Sequence, residues 1–98
     1  MFNKTYKYSV EQNHPNPFNP TTVLSYSLPS DGKVKIEIYN SLGQKVIELL
    51  NENQNMGKHS VSWNATHFSS GTYFARFTAM SLSKNETYSE VKKLLLMK

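Results

Sequence analysis

Cysteine is absent from the 98 residues, and aspartate and arginine occur once each. The missing thiol excludes disulfide staples, thiolate metal sites and a cysteine nucleophile. It leaves the cellular compartment open, because many exported bacterial domains also lack disulfides. Asp31, the lone aspartate, sits in a turn sequence, and the glutamates fall on alternating outward positions or in turns. No carboxylate pair is therefore offered for acid–base chemistry. His14, His59 and His67 follow no metal-ligand spacing, and His59 reads most simply as a strand residue. No G-x-S-x-G elbow, P-loop or dinucleotide fingerprint occurs. The expectation is a chain that is not an enzyme and holds no cofactor and no metal.

Long apolar runs are missing as well. The longest, Leu94-Leu95-Leu96-Met97, falls far short of the roughly 20 residues of a membrane helix. Residues 1–10 lack the apolar core of a signal peptide, so the chain is expected either to stay inside the cell or to be a piece of a larger exported protein. The scarcity of arginine also bears on nucleic acids. The net charge is +4, yet Lys58, Lys84, Lys92, Lys93 and Lys98 are scattered on outward positions. A nucleic-acid face clusters arginine and lysine with exposed aromatics. A solvated basic surface is the simpler reading, with no nucleic-acid partner.

What is present is β-patterning. In Lys33-Val34-Lys35-Ile36-Glu37-Ile38-Tyr39 the strict alternation puts Val34, Ile36 and Ile38 inward, with the lysines and Glu37 outward. Residues 59–64 place Val61 and Trp63 on one face, residues 71–79 place Tyr73, Ala75 and Phe77 together, and residues 23–28 offer Leu24, Tyr26 and Leu28. Residues 46–50 read as a short strand of poorer pattern, and Tyr6, Tyr8 and Val10 as a weaker first strand. The last strand, about 88–97, begins polar and ends wholly apolar, which predicts burial on both faces near its end. Pro29-Ser30-Asp31-Gly32, Ser41-Leu42-Gly43-Gln44, Asn55-Met56-Gly57-Lys58 and Ser83-Lys84-Asn85-Glu86 carry turn chemistry between these runs. About seven short strands so spaced predict an all-β, Ig-like antiparallel β-sandwich. One domain is expected over 13–98, preceded by a lead-in over 1–12. Tyr73, following Gly71, fits either a tyrosine corner, with its hydroxyl returned to upstream backbone, or a plain core residue.

The stretch Asn13-His14-Pro15-Asn16-Pro17-Phe18-Asn19-Pro20-Thr21-Thr22 is the most distinctive in the chain. Pro15, Pro17 and Pro20 fix φ, remove backbone donors and push the residues before them toward extended geometry. Asn16 and Asn19 are placed to close side-chain turns on either side of Phe18. A stiff segment with one large apolar side chain at its centre is expected to dock, with Phe18 capping one end of the sandwich.

This segment is followed by Tyr26-Ser27-Leu28-Pro29, the 34–39 strand, Leu42-Gly43-Gln44-Lys45-Val46, Ser70-Gly71-Thr72-Tyr73-Phe74-Ala75-Arg76-Phe77 and Lys92-Lys93-Leu94-Leu95-Leu96-Met97-Lys98. In that order the pieces resemble the type A, Ig-like C-terminal sorting domain of proteins exported by the type IX (Por) secretion system of Bacteroidetes-type bacteria. The chain departs from the family at Ser69, where proline is common, and in residues 80–89, which exceed the usual final hairpin.

The resemblance implies a C-terminal signal domain for a covalently linked N-terminal passenger. The partners it implies are the outer-membrane type IX translocon and a sortase-like peptidase that cleaves the domain off. The route it implies is the periplasm in transit, then the cell surface or the extracellular space. Sorting residues are expected at Lys92, Lys93, Leu94, Leu95, Leu96, Met97 and Lys98, through edge pairing of the last strand and lysine contacts to an acidic receptor. The same lysines also fit plain edge protection. Pro15, Pro17, Phe18, Pro20, Gly43, Gly71 and Tyr73 are expected as structural motif residues. An exposed last strand also permits a dimer by strand exchange. Two alternatives accompany this reading. One is a carbohydrate-binding accessory module using Tyr39, Phe74 and Tyr88 as outward aromatics; the other is a structural Ig-like spacer.

Overall fold

Period-two alternation buries one face of a strand and wets the other, so a chain built from such runs must stack two sheets. The computed structural model, which describes residues 6–98, shows this arrangement; positions 1–5 of the expected lead-in lie outside the described residues. The strands are β1 Ser9–Val10, β2 Thr21–Leu28, β3 Gly32–Asn40, β4 Lys45–Gln54, β5 Gly57–Asn64, β6 Gly71–Ser81 and β7 Thr87–Leu96. One sheet has the order β1-β2-β5 and the other β4-β3-β6-β7, with every pairing antiparallel. The fold is an all-β, Ig-like sandwich of seven strands.

The chain changes sheet three times, after β2, β4 and β5. Two of these crossings are tied together where Met56 N–H donates to Asp31 Oδ1 at 2.8 Å. The β3–β4 hairpin is closed by Asn40, whose Oδ1 accepts from the N–H groups of Leu42 and Gln44, each at 3.0 Å. Gly43 takes φ +82° in that turn, a conformation other residues rarely adopt. The core fills the space between the sheets, with Leu24, Tyr26 and Leu28 of β2 facing Ile36, Ile38 and Phe77 of β3 and β6. Each such side chain contributes about 1.5–3 kcal/mol by leaving water. At one end Trp63 is surrounded by Phe18, Phe68 and Tyr73, with ring centroids 5.4–5.6 Å away. Its indole Nε1 is buried without a hydrogen-bond partner among the described residues, a cost of about 1–3 kcal/mol that the surrounding aromatic burial offsets.

Several expectations need correction. β4 is ten residues long, against the short 46–50 strand expected. Register shifts opposite Ile36/Glu37 and Ile38/Tyr39 break its alternation, so Val46, Ile47, Leu49 and Leu50 all reach the core margin. Glu37 is on the outer face but is not in water: its side chain keeps 10% exposure beneath Lys35 and Lys45, whose Nζ atoms lie 3.6 and 3.4 Å from its carboxylate. Long lysine stems lying over the sheet cover it. Tyr88 pairs with the buried Ala79 and so faces inward, stacking on Tyr8 at 4.7 Å and edge-on to Phe77. The aromatic set Tyr39, Phe74 and Tyr88 therefore does not share a face. The weaker first strand shrinks to two residues, although Tyr8 and Val10 still pack on the core. The β6–β7 hairpin pairs without a shift from Gly71↔Leu96 to Met80↔Thr87, so its extra length leaves the register intact.

Candidate functional site

β7 is an edge strand of the four-stranded sheet, and its alternation divides the expected sorting residues in two. Leu94 and Leu96 point inward and are fully buried. Lys92 is half-buried on the same side, paired with Glu90 at 2.9 Å. Lys93 and Met97 are exposed and Leu95 is half-buried on the outer side. The apolar end of β7 is thus buried on one face only, because no second layer among the described residues covers the outer one.

The free edge of β7 is closed over its last residues by the proline segment. Phe18 pairs with Leu96 as a parallel bridge. Its N–H donates to Leu95 O and its carbonyl accepts from Met97 N–H, both at 3.0 Å. Leu95 N–H donates to Asn16 Oδ1 at 2.9 Å, and Gln12 Nε2 donates to Lys93 O at 2.7 Å. Asn16 therefore caps the far strand instead of closing a local turn. The last residue is held as well: Lys98 N–H donates to Ser70 Oγ at 3.0 Å and Lys98 Nζ to Thr66 O at 2.6 Å. Edge pairing by a partner strand, as the sequence suggests for β7, is blocked over residues 93–97 while residues 12–18 stay docked.

The segment is held by residues the sequence reasoning passed over. Asn13 is buried, and its Nδ2 donates to Pro15 O at 3.0 Å and to Thr22 Oγ1 at 2.9 Å, while Thr22 donates to Pro15 O at 2.8 Å. His14 and Val23 exchange two backbone bonds of 3.0 Å, and Ala65 N–H donates to Pro20 O at 2.8 Å. The signal for Asn13 and Thr22 was available: prolines leave carbonyls without neighbouring donors, and polar side chains must supply them. The His14–Pro15, Asn16–Pro17 and Asn19–Pro20 peptides are cis. Phe18 is 2% exposed and lies against Trp63.

The remaining motif residues support the same end of the sandwich. Tyr73 is both core residue and corner, since its hydroxyl donates to Ser69 O at 2.6 Å. Gly71 just before it has φ +154°.

At the opposite end of β7 the hydrogen bond from Lys92 and then that from Tyr88 hold the Glu90 carboxyl below its usual range. The bond to Glu90 pushes Tyr88 up, and burial followed by the nearby Glu86 charge pushes Tyr8 up. No three acidic or imidazole side chains converge among the described residues. A groove of about 380 Å³ on the other sheet is lined by Ser9, Ser25, Ser27, Ser60 and Lys58. Its His59 is engaged with the Asn55 carbonyl at 2.6 Å and stacked on Tyr26. What the β7 end offers is a closed strand edge, held by hydrogen bonds from remote sequence.

The crystal structure of CopC from Methylosinus trichosporium OB3b superposes with a TM-score of 0.62 at 12% identity, covering 92% of this chain and 93% of that one, which is a likeness of fold. No curated protein matches the chain. The family described as "Secretion system C-terminal sorting domain" matches residues 12–96, a span that begins at Gln12 on the β7 edge and ends at Leu96. The chain belongs to this family of secretion sorting domains.

Proposed function

We propose that the domain is a non-catalytic signal that directs an upstream passenger through the outer membrane by type IX secretion and is then removed by a sortase-like peptidase. The passenger crosses the periplasm before reaching the cell surface or the medium. The observation that carries the reading is the family match over 12–96, which takes in both the proline segment and the strand it closes. The geometry is compatible with recognition of a folded shape: Lys93, Leu95 and Met97 are presented outward while Leu94 and Leu96 anchor the strand.

The test is a periplasmic reporter fused ahead of the full 98-residue chain in a type IX-competent host. The reporter is expected at the surface or in the medium, shortened by the mass of the domain, and absent from both in a translocon-deficient strain. Retention in the periplasm of the competent strain would overturn the reading. Deleting residues 94–98 is a poorer test, because it removes two buried leucines and acts through folding.

A further inference from the structure

The outer face of the four-stranded sheet has no second layer among the described residues, and its charges are unevenly distributed. Pairing places Lys45, Tyr39, Phe74 and Lys93 side by side across all four strands. The next row is Glu48, Glu37, Arg76 and Val91. On the β3–β4 side the carboxylates are answered: Lys35 and Lys45 flank Glu37, and Lys35 also lies 3.9 Å from Glu48. On the β6–β7 side Arg76 and Lys93 are exposed and form no ion pair among the described residues. Beside them Val91 is 56% exposed, and Phe74 and Leu95 are half-buried. The outer side of the other sheet differs in kind, with serines around a groove where Lys58 and Glu11 bring one charge of each sign.

We infer that the β6–β7 half of this face, built on Phe74, Arg76, Val91, Lys93 and Leu95, docks an acidic protein surface of the export machinery. The inference rests on the sorting reading and names the surface that such a receptor would touch. An apolar centre with an aromatic ring and an arginine is the composition of interface cores. Two cations that form no ion pair among the described residues favour carboxylates opposite them. Glu37 and Glu48 argue against a uniform polyanion. Neighbouring strands are about 4.8 Å apart, so both carboxylates lie within roughly one Debye length of Arg76 and would repel a continuous negative partner. A protein patch with localised carboxylates avoids them. The docked proline segment leaves this face clear, because it closes the edge of β7 and not its outer side.

The experiment uses the reporter fusion with the full chain. Arg76→Glu with Lys93→Glu is expected to reduce surface reporter at least about tenfold, with the melting temperature of the isolated chain unchanged within a few degrees. Because Arg76 pairs with Glu37, the neutral pair Arg76→Gln with Lys93→Gln serves if the reversal perturbs folding, and a several-fold loss is expected from it. Arg76→Lys with Lys93→Arg is expected to retain export, as is Lys58→Glu on the opposite sheet. Normal export of both the reversed and neutral pairs, or an equal loss with Lys58→Glu, would overturn the proposal. Binding of the chain to anionic phospholipid vesicles that is lost in the double variant would overturn the protein partner in favour of a membrane. Failure of the unmodified chain to export the reporter would instead bring down the sorting reading, and this proposal with it.

Discussion

Replacing Phe18 by alanine tests whether the proline segment is part of the fold or a surface strap. The ring is 2% exposed, and its centroid lies 5.6 Å from that of Trp63, tilted by 51°. Truncating a buried phenylalanine costs about 3–5 kcal/mol, in proportion to the cavity left behind. Collapse is hard here. Pro17 stiffens the backbone before the cavity, and Trp63 is already wedged against Phe68 and Tyr73, so the upper part of that range is expected. A domain of this size holds about 5–15 kcal/mol in total. The loss should therefore lower the urea midpoint steeply and reduce Tm by roughly 15–30 °C. Hydrogen exchange separates undocking from general weakening. The amides of Leu95 and Met97 donate to Asn16 and Phe18, whereas those of Leu94 and Leu96 face β6. In the variant the first pair should lose protection at least about tenfold more than the second. A stability loss under about 1 kcal/mol, or equal loss of protection in the two pairs, would refute the reasoning.

Two further outcomes follow from single hydroxyls. Tyr73→Phe keeps the ring in the core but removes the 2.6 Å bond to Ser69 O, so urea unfolding should show a loss of about 1–1.5 kcal/mol; an unchanged midpoint would reduce the corner to packing. Burial pushes the Tyr26 phenol from 10.0 up to about 12, despite its hydrogen bond to Gln54. The folded state keeps a proton that the unfolded chain releases, so this contribution is complete below pH 10 and is lost as the pH rises toward 12. With the hydroxyl only half-buried and screened by solvent, the loss is on the order of 1–2 kcal/mol. Tyr26→Phe should flatten the alkaline decline in stability, and an equally steep decline in that variant would contradict the assignment.

The strands legible in the sequence are those whose alternation is regular. β3, β5 and β6 pair without interruption along β2 or one another, so Ile36, Trp63 and Phe77 fall where period two puts them. β4 was less legible because its two register shifts change the face of each residue beyond them. Tyr88 obeys the same period, since counting back by twos from the buried Leu96 and Leu94 reaches it on the inner side. The same count separates Lys92 from Lys93, which a lysine-rich motif groups together. Glu37 shows a different limit. Its outward position was readable, but its cover comes from Lys45 on another strand, and only the pairing brings the two together. Likewise nothing local to Phe18 announces Leu95 or Leu96; the proline spacing signals that the segment docks, and not where.

The distance between those two ends in sequence does not make their pairing costly. Once β2 and β5 have paired, the segment is fastened on one side by the His14–Val23 bridge and on the other by Ala65 N–H to Pro20 O. Only the few residues between those ties remain to be ordered, so the closure entropy is that of a short loop and not of the whole chain. Pro15 and Pro17 lower it further by narrowing what the unfolded segment can explore. Against this reduced cost stand the burial of Phe18 and the hydrogen bonds that Asn16 and Phe18 exchange with β7. The edge of the last strand can therefore be closed by a segment that holds itself in place, and residues 12–18 and 93–97 form one unit despite lying at opposite ends of the matched span.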